Sequence, residues 1–294
     1  MKLGVIVPQG VDHEYDGWDP SAAWRRSIEV ARHAEELGFE SIWLYDHFQT
    51  DPTPEDEITF EAFTLLAALG AWTERVRLGH LVLGAGYRNP ALVAKMASTL
   101  DVVTDGRMEL GLGAGWKEDE YLAFGYDFPP TRERLAILGD TLEIVARMFS
   151  GTHATFAGKH RLVTDAINVP AGLQKPRIPI VVGGNGPSVT FRLAARHADE
   201  LNLDGLTPEE VARAIPLVRD RCDEIGRDPD SLRISVHLWG PVIDDEGPIR
   251  TRRLAAYREL GVSRVIAQIH ASATDLAVLD SFRDDAVAAG AHLS

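Results

Sequence analysis

The chain has 294 residues, of which 45% are hydrophobic and 25% are charged, values that are ordinary for a soluble globular protein. Its formal net charge of −14 at pH 7 argues against a basic face for nucleic acid or for an anionic membrane surface. The single cysteine, Cys222, excludes an internal disulfide framework and a thiolate metal cluster.

Short apolar strands alternate with amphipathic helices along the chain. The first helix begins at Asp19, a good N-cap residue, has Pro20 at its first position and ends at Gly38. Asn89 and Pro90 open a later helix in the same way. For the first half of the chain the pattern predicts strands at residues 3–8, 41–45, 76–84 and 107–113, with helices at 20–37, 61–72 and 90–103.

The second half of the chain continues this alternation. Eight strand–helix repeats require parallel strands with crossover helices, and eight repeats in this length fit a closed (β/α)8 TIM barrel, an α/β fold. An open doubly wound sheet could use the same elements. No linker divides the chain, so we expect one domain over residues 1–294. The later strands are predicted at residues 178–184, 198–205, 232–240 and 263–269.

One connection is much longer than the others, and it forms an insertion at about residues 114–177, after the fourth strand. The stretch "KEDEYLAFGYDFPP" at its start opens no immediate apolar-periodic helix, whereas residues 131–151 predict a good helix. The stretch "ATFAGKHRLV" (154–163) is typical of a short hairpin. A structureless loop of this length is rare in a compact domain unless it is a lid or a binding insertion. The hairpin is therefore interpreted as a lid over the barrel mouth or as a packing decoration.

Two glycine-rich loops follow strands, at the end of a barrel where ligands bind. Glycines occupy positions 111, 113 and 115, but Trp116 stands where a dinucleotide fingerprint needs its third glycine. The stretch "GGNGPS" (183–188) runs into a helix, whose free N–H groups suit a phosphate. We interpret both loops as clearing space for a cofactor. A tight turn that needs positive φ is the alternative for the second loop.

His47 is the best acid–base candidate, because it follows the second strand and neighbours Asp46, which could orient or charge it. A histidine that only satisfies loop backbone is the alternative. His237 and His270 lie near later strand ends and are weaker candidates. Trp116 is interpreted as a pocket wall, with packing in the core as the alternative. We expect no metal site, because H-x-H on the first strand, H-E-x-x-H and a tight His/Asp cluster are all missing from the sequence.

Four stretches together resemble the bacterial luciferase-like superfamily, and in particular its branch of oxidoreductases that use the deazaflavin coenzyme F420. Each stretch is weakly specific alone, but the set spans most of the chain in order. The stretches are "GFESIWLYDHF" (38–48), "RVRLGHLVLGAGYRNPALVAKMASTLDVVTDGRMELGLGAGWKEDEYLAFG" (75–125), "IPIVVGGNG" (178–186) and "AARHADELNL" (194–203). The resemblance implies a TIM barrel with an insertion after the fourth strand, and hydride transfer between the cofactor and a small organic substrate.

The resemblance also implies roles for individual residues. It places Asp46 and the catalytic His47 against the reactive ring of the cofactor. It implies a bulge in the third strand, built on a non-prolyl cis peptide between Leu81 and Val82, behind the bent deazaflavin. The residues implied to hold the rest of the cofactor are Gly113, Ala114, Gly115, Trp116, Gly183, Gly184, Asn185 and Gly186.

In one respect the sequence departs from the family pattern. Relatives that oxidise glucose 6-phosphate carry a catalytic glutamate where this chain has Trp116, which argues against sugar-phosphate dehydrogenation and favours a more apolar substrate. One alternative function is an FMN-dependent two-component monooxygenase of the same superfamily, which would consume oxygen. Another is a non-catalytic protein that binds F420 or flavin.

The sequence also gives expectations for the partners of the protein and for its location. The only expected partner is a small-molecule substrate, with no nucleic acid and no membrane. Dimerisation is common among similar proteins, but the sequence shows no self-complementary patch from which a homodimer could be argued. We find no signal-peptide pattern and no apolar run of membrane-spanning length, so a cytoplasmic location is expected.

Overall fold

The chain folds into a closed barrel in the computed structural model, which describes residues 1–151, 153–240 and 243–294. In chain order the strands are β1 (Lys2–Ile6), β2 (Ser41–Leu44), β3 (Arg77–His80), β4 (Leu83–Gly84), β5 (Met108–Gly113), β6 (His153–Ala157), β7 (Leu162–Ile167), β8 (Ile180–Gly183), β9 (Glu200–Asp204), β10 (Arg233–Leu238) and β11 (Arg264–Ala267). The helices are α1 (Pro20–Glu36), α2 (Ala62–Trp72), α3 (Pro90–Val103), α4 (Glu118–Ala123), α5 (Thr131–Ser150), α6 (Thr190–His197), α7 (Pro208–Asp223), α8 (Pro248–Glu259) and α9 (Ala277–Ala288).

The barrel consists of parallel strands joined in a ring. β1 pairs with both β2 and β11, and β3 pairs with both β2 and β5, so that the sheet has no free edge at this point. The remaining pairs follow chain order through β8, β9 and β10. β4 continues β3 beyond a bulge and pairs with β5. The predicted (β/α)8 barrel is confirmed, and the open doubly wound sheet is wrong.

The predicted helix starts are confirmed at the atomic level. Asp19 accepts a hydrogen bond from the N–H of Ala22 at 3.0 Å and caps α1. Asn89 caps α3 by accepting from the N–H of Ala91 at 2.9 Å. Such caps satisfy N–H groups that have no partner within the helix. None of the described helices combines the length and the apolar character that a bilayer crossing requires.

The insertion differs from its prediction at one end. Residues 118–123 form α4, although no helix was predicted there, because six residues are too few to show an apolar period. The acidic run at its start favours a helix N-terminus through the helix dipole. The predicted hairpin is confirmed as the antiparallel pair β6–β7. It packs beside α5 and contributes no described residue to the cavity at the barrel mouth, so a lid over that cavity is not what the structure shows.

A buried ion cluster lies inside the barrel near the amino ends of the strands. The guanidinium of Arg264 contacts Glu109 at 2.6 Å, Glu200 at 2.7 Å and Glu40 at 2.7 Å, and it also lies over the ring of Trp43. Burial alone would raise the pKa of the Glu109 carboxyl. The neighbouring arginines outweigh burial and lower that pKa from its ordinary 4.5 to about 2.

This shift predicts a specific loss of stability in acid. A carboxyl whose pKa is lower in the folded state stabilises the fold above the unfolded-state pKa, and the contribution is lost as the pH falls toward the folded-state pKa. We therefore expect the free energy of unfolding to fall between about pH 4.5 and pH 2, partly through Glu109. Glu109→Gln should be less stable than the unaltered protein at pH 7, and the gap should narrow in acid. A gap in urea midpoint that stays constant from pH 7 to pH 3 would contradict this assignment.

Candidate functional site

A cavity of about 590 Å³ opens at the carboxyl ends of the barrel strands. Its size is within the usual range of small-molecule sites, and barrel enzymes bind their ligands at this end. Asn185 and Gly186, two of the twelve predicted site residues, are not among its lining residues. The other ten line it: Asp46, His47, Leu81, Val82, Gly113, Ala114, Gly115, Trp116, Gly183 and Gly184.

His47 lies on the wall of this cavity with its side chain 15% exposed. Its Nδ1 is 3.1 Å from Oε2 of Glu120, which belongs to α4. Because a carboxylate can only accept, Nδ1 carries the hydrogen, and Nε2 is left to exchange a proton with a ligand. Trp116 packs edge-to-face against the imidazole, with 5.7 Å between ring centroids. The ring is therefore held in one orientation, with a carboxylate behind it.

Glu120 is a site residue that the sequence analysis missed. Its side chain is fully buried and also accepts hydrogen bonds from the N–H of Phe48 at 2.8 Å and from the hydroxyl of Tyr87. Burial raises the pKa of the Glu120 carboxyl, but the hydrogen bond and charge of His47 and the other donors outweigh burial. The pKa of Glu120 therefore lies below its ordinary value, and the side chain is an anion at neutral pH.

Asp46 has a different partner from the one that the sequence suggested. Its Oδ2 accepts from Nη1 of Arg88 at 2.7 Å and from the N–H of Gly84 at 2.9 Å, and no hydrogen bond joins it to His47. Burial raises the pKa of the Asp46 carboxyl and outweighs the Arg88 guanidinium beside it. Its Oδ1 is buried without a hydrogen-bond partner. Asp46 thus fixes the loop after β4, while Glu120 orients the imidazole.

A cis peptide bond joins Leu81 to Val82, between β3 and β4. This is the non-prolyl cis bond at the position that the resemblance implied. Both residues line the cavity.

Gly111 and Gly113 in β5, and Gly115 just after it, closely approach other groups of the protein itself. A Cβ at Gly111 would lie 1.9 Å from the carbonyl oxygen of His80, and one at Gly113 would lie 2.5 Å from the side chain of Val82. A Cβ at Gly115 would lie 2.1 Å from the hydroxyl of Tyr121. The chain's own bulge and an α4 side chain fill these spaces, so packing within the protein requires the glycines.

The loop after β8 has a similar explanation. Gly184 has a φ of +128°, which favours glycine whatever lies beside it. The side chain of Asn185 pairs with the main chain of Asp204, donating to its carbonyl at 2.8 Å and accepting from its N–H at 2.9 Å. The alternative reading, a turn that needs positive φ, therefore applies to Gly184. Thr190, the first residue of α6, lines the cavity beside this loop.

His237, a weaker candidate from the sequence, also lines the cavity. Its Nδ1 is 2.9 Å from Oδ1 of Asp204, and its Nε2 is 2.8 Å from the hydroxyl of Tyr45. Asp204 accepts a further hydrogen bond from the indole of Trp239. Burial raises the pKa of Asp204, but the donors from His237 and Trp239 outweigh it and lower that pKa. Both ring nitrogens of His237 are occupied, whereas His47 has a hydrogen-bond partner among the described residues at Nδ1 only.

Asp12, which lines the cavity, lies close to two other titratable side chains, Glu14 and His270. The side-chain ligand atoms of Asp12, Glu14 and His270 lie within 4.8 Å of one another, although the sequence itself shows no His/Asp cluster with metal-ligand spacing. Burial raises the pKa values of the Asp12 and Glu14 carboxyls. Asp12 also accepts a hydrogen bond from the side chain of Gln268. The sequence could not show this group, because more than 250 residues separate His270 from Asp12 and Glu14.

The fold and the cavity define a (β/α)8-barrel protein with a cavity of small-molecule size at the carboxyl ends of its strands. The sequence also identifies the family to which the chain belongs. The luciferase-like monooxygenase family matches residues 1–292, and the chain belongs to this family.

The chain is also similar to individual F420-dependent proteins. The chain is 32% identical over 263 residues to the F420-dependent glucose-6-phosphate dehydrogenase of Microbacterium testaceum, covering 80% of this chain and 76% of the relative. It is 33% identical over 251 residues to the same enzyme of Intrasporangium calvum, covering 77% and 74%. Among solved structures, an F420-dependent secondary alcohol dehydrogenase in complex with an F420–acetone adduct has a TM-score of 0.81 at 18% identity, covering 98% of both chains. The last likeness establishes the fold.

Proposed function

We propose that this protein is an F420-dependent oxidoreductase that moves a hydride between the deazaflavin and a small organic substrate. One observation carries the proposal: an imidazole with one free nitrogen, held by a buried carboxylate, lies on the wall of a ligand-sized cavity. The curated relatives that share a third of the sequence are F420-dependent dehydrogenases, which supports this choice of cofactor.

The residues of the cavity fit such a cofactor. The volume of about 590 Å³ is sufficient for a tricyclic ring with a substrate beside it. The buried Oδ1 of Asp46 has no protein partner, and a ligand donor would satisfy it. Leu81 and Val82 provide an apolar wall, and Gly183 and Gly184 line the cavity without a side chain, with Gly183 packed against Val82.

The chain's own residues would position the substrate and move one proton. When bound, F420 supplies the carbon that accepts or gives the hydride. In alcohol oxidation, Nε2 of neutral His47 would accept the hydroxyl proton, and in carbonyl reduction the protonated ring would return it. The anionic Glu120 would stabilise the positive charge on the ring. Trp116 would limit access of water to the imidazole.

We further propose that the substrate is neutral and fairly apolar. None of the described residues that line the cavity is a lysine or an arginine, whereas Asp12, Asp51 and Asp204 all contribute carboxylates. A sugar phosphate in this cavity would lose its hydration without gaining a cationic partner. Trp116 and Trp239 provide aromatic surface instead.

An anaerobic assay with F420 and a panel of substrates tests this function. We expect neutral alcohols or the matching carbonyl compounds to be turned over without oxygen, and glucose 6-phosphate to have a kcat/KM at least about tenfold lower. Turnover that requires oxygen, or a preference for glucose 6-phosphate, would overturn the proposal.

Glu120→Gln is expected to lower kcat by roughly 10–100-fold, because an amide keeps the shape of the side chain but removes the charge behind His47. The affinity for F420 should change little, since the carboxylate contacts the imidazole and the loop backbone. Glu118→Gln, an exposed residue of the same helix, is the matched control. Equal kcat values for the two variants would remove Glu120 from the mechanism.

A further inference from the structure

A second cavity, of about 640 Å³, lies beside the first. Ala114 lines both cavities, so that the loop after β5 separates them. The second cavity is bounded by the connection between α4 and α5 and by the tip of the β6–β7 hairpin. Ala114 is the residue at which the linings of the two cavities meet.

The hairpin tip is fixed over this second cavity by one carboxylate. Asp140, on α5, accepts hydrogen bonds from the N–H groups of His160 at 2.7 Å and Arg161 at 3.1 Å. A Cβ at Gly158 would lie 2.4 Å from the Asp140 carboxyl, so only glycine lets the turn approach so closely. The anchor is made by main-chain groups, which leaves the His160 and Arg161 side chains to line the cavity.

The polar atoms of these two side chains are incompletely satisfied. Nε of Arg161 and Nε2 of His160 are buried, and neither has a hydrogen-bond partner in the structure as described. Buried donors of this kind nearly always have a partner in a folded protein, either from the chain or from a bound molecule. The Arg161 guanidinium makes one long hydrogen bond, of 3.4 Å, to the carbonyl of Ala85.

Two arginines line the second cavity, although the protein as a whole is acidic. Arg134 and Arg161 both line it, and no carboxylate in the described part of the chain forms an ion pair with either guanidinium. Arg134 donates instead to the carbonyls of Gly115 and Pro129. Two acidic residues, Asp127 and Glu133, also line the cavity. Oε1 of Glu133 lies 3.5 Å from Nδ1 of His160.

We propose that the second cavity binds the anionic tail of F420, its phosphodiester and glutamate carboxylates, with Arg161 and Arg134 as the cations that recognise it. The inference rests on the proposed function, since it needs the deazaflavin ring in the first cavity. The first cavity offers the tail no lysine or arginine among its described residues, whereas the adjoining cavity offers two guanidiniums. Guanidinium groups bind phosphate and carboxylate through paired, charge-assisted hydrogen bonds.

Fluorescence titration of the full chain with two ligands tests the proposal. One ligand is F420, and the other is the riboflavin-level deazaflavin that lacks the phosphate and the glutamates. We expect Arg161→Gln to weaken F420 binding by about tenfold and the binding of the tail-less ligand by less than about twofold. Arg161→Lys keeps the charge but not the paired donors, so it should recover only part of the loss. Added salt should weaken F420 binding more than tail-less binding.

Lys159→Gln is the matched control, because Lys159 is an exposed cation of the same turn and does not line the cavity. Its Kd for F420 should equal that of the unaltered chain. Equal losses for both ligands in Arg161→Gln, or no loss for either, would overturn the inference. So would competition by inorganic phosphate against the tail-less ligand, because the anion site would then lie with the ring in the first cavity and not in the second. Failure of the unaltered chain to bind either ligand would instead overturn the proposed function, and this inference with it.

Discussion

Replacing His47 with alanine is expected to lower turnover by roughly 10²–10⁴-fold, the usual contribution of a general acid or base. The loss follows from the free Nε2 of His47, whose ring is fixed by Glu120 and lies on the cavity wall. The affinity for F420 should change little, because the main-chain loops and apolar walls remain. Steady-state kinetics with a fluorescence titration of F420 would separate the two effects.

The control for this prediction is His292→Ala, since His292 is an exposed histidine far along the chain from the barrel mouth residues. It should turn over at the rate of the unaltered protein. If His47→Ala also turned over at that rate, His47 would have no part in proton transfer. A loss of F420 affinity that accounted for the whole effect would show that His47 binds the cofactor instead.

Arg264→Met is expected to destabilise the fold by about 3–5 kcal/mol, because the substitution leaves the carboxylates of Glu109 and Glu200 buried without their main cation. The Arg264 side chain is only 3% exposed, so water cannot replace the guanidinium. Urea unfolding followed by circular dichroism would measure the change.

The matched control is Arg233→Met. Arg233 approaches the same Glu200 carboxylate at 3.3 Å but from the surface, with its side chain 47% exposed. An exposed ion pair contributes about 0–1 kcal/mol, so this variant should differ little from the unaltered protein. Equal losses for Arg233→Met and Arg264→Met would contradict the role given to the buried cluster.

The barrel and much of the cavity could be predicted from the sequence because local signals determine them. Capping residues before proline fixed the starts of α1 and α3, and alternating strands and helices implied parallel pairing. The position of the cis bond between Leu81 and Val82 came from the family resemblance. The carboxyl ends of the strands then indicated which loops meet at the mouth.

Side-chain partners could not be predicted in the same way. His47 and Glu120 are 73 positions apart, and α4 is too short to show which of its three acidic residues points inward. Asp46 was expected to act on its neighbour His47, but Arg88, brought close by the loop after β4, takes its carboxylate. Such pairings depend on loop geometry, which has no periodic pattern in the sequence.

The reason for the glycines was also hidden from the sequence. A glycine shows that something approaches the backbone closely, but it does not show what approaches. At Gly113 the neighbour is Val82, and at Gly115 it is Tyr121, so the loop is shaped by the protein's own residues. Space for a cofactor was one interpretation of the same glycines.

We propose that the cavity binds a deazaflavin in preference to a flavin. Parallel fluorescence titrations of the purified protein with F420 and with FMN test it most directly. We expect saturable binding of F420 and no binding of FMN over the same range of concentrations. Saturable binding of FMN with none of F420 would contradict it and would favour a flavin-dependent monooxygenase.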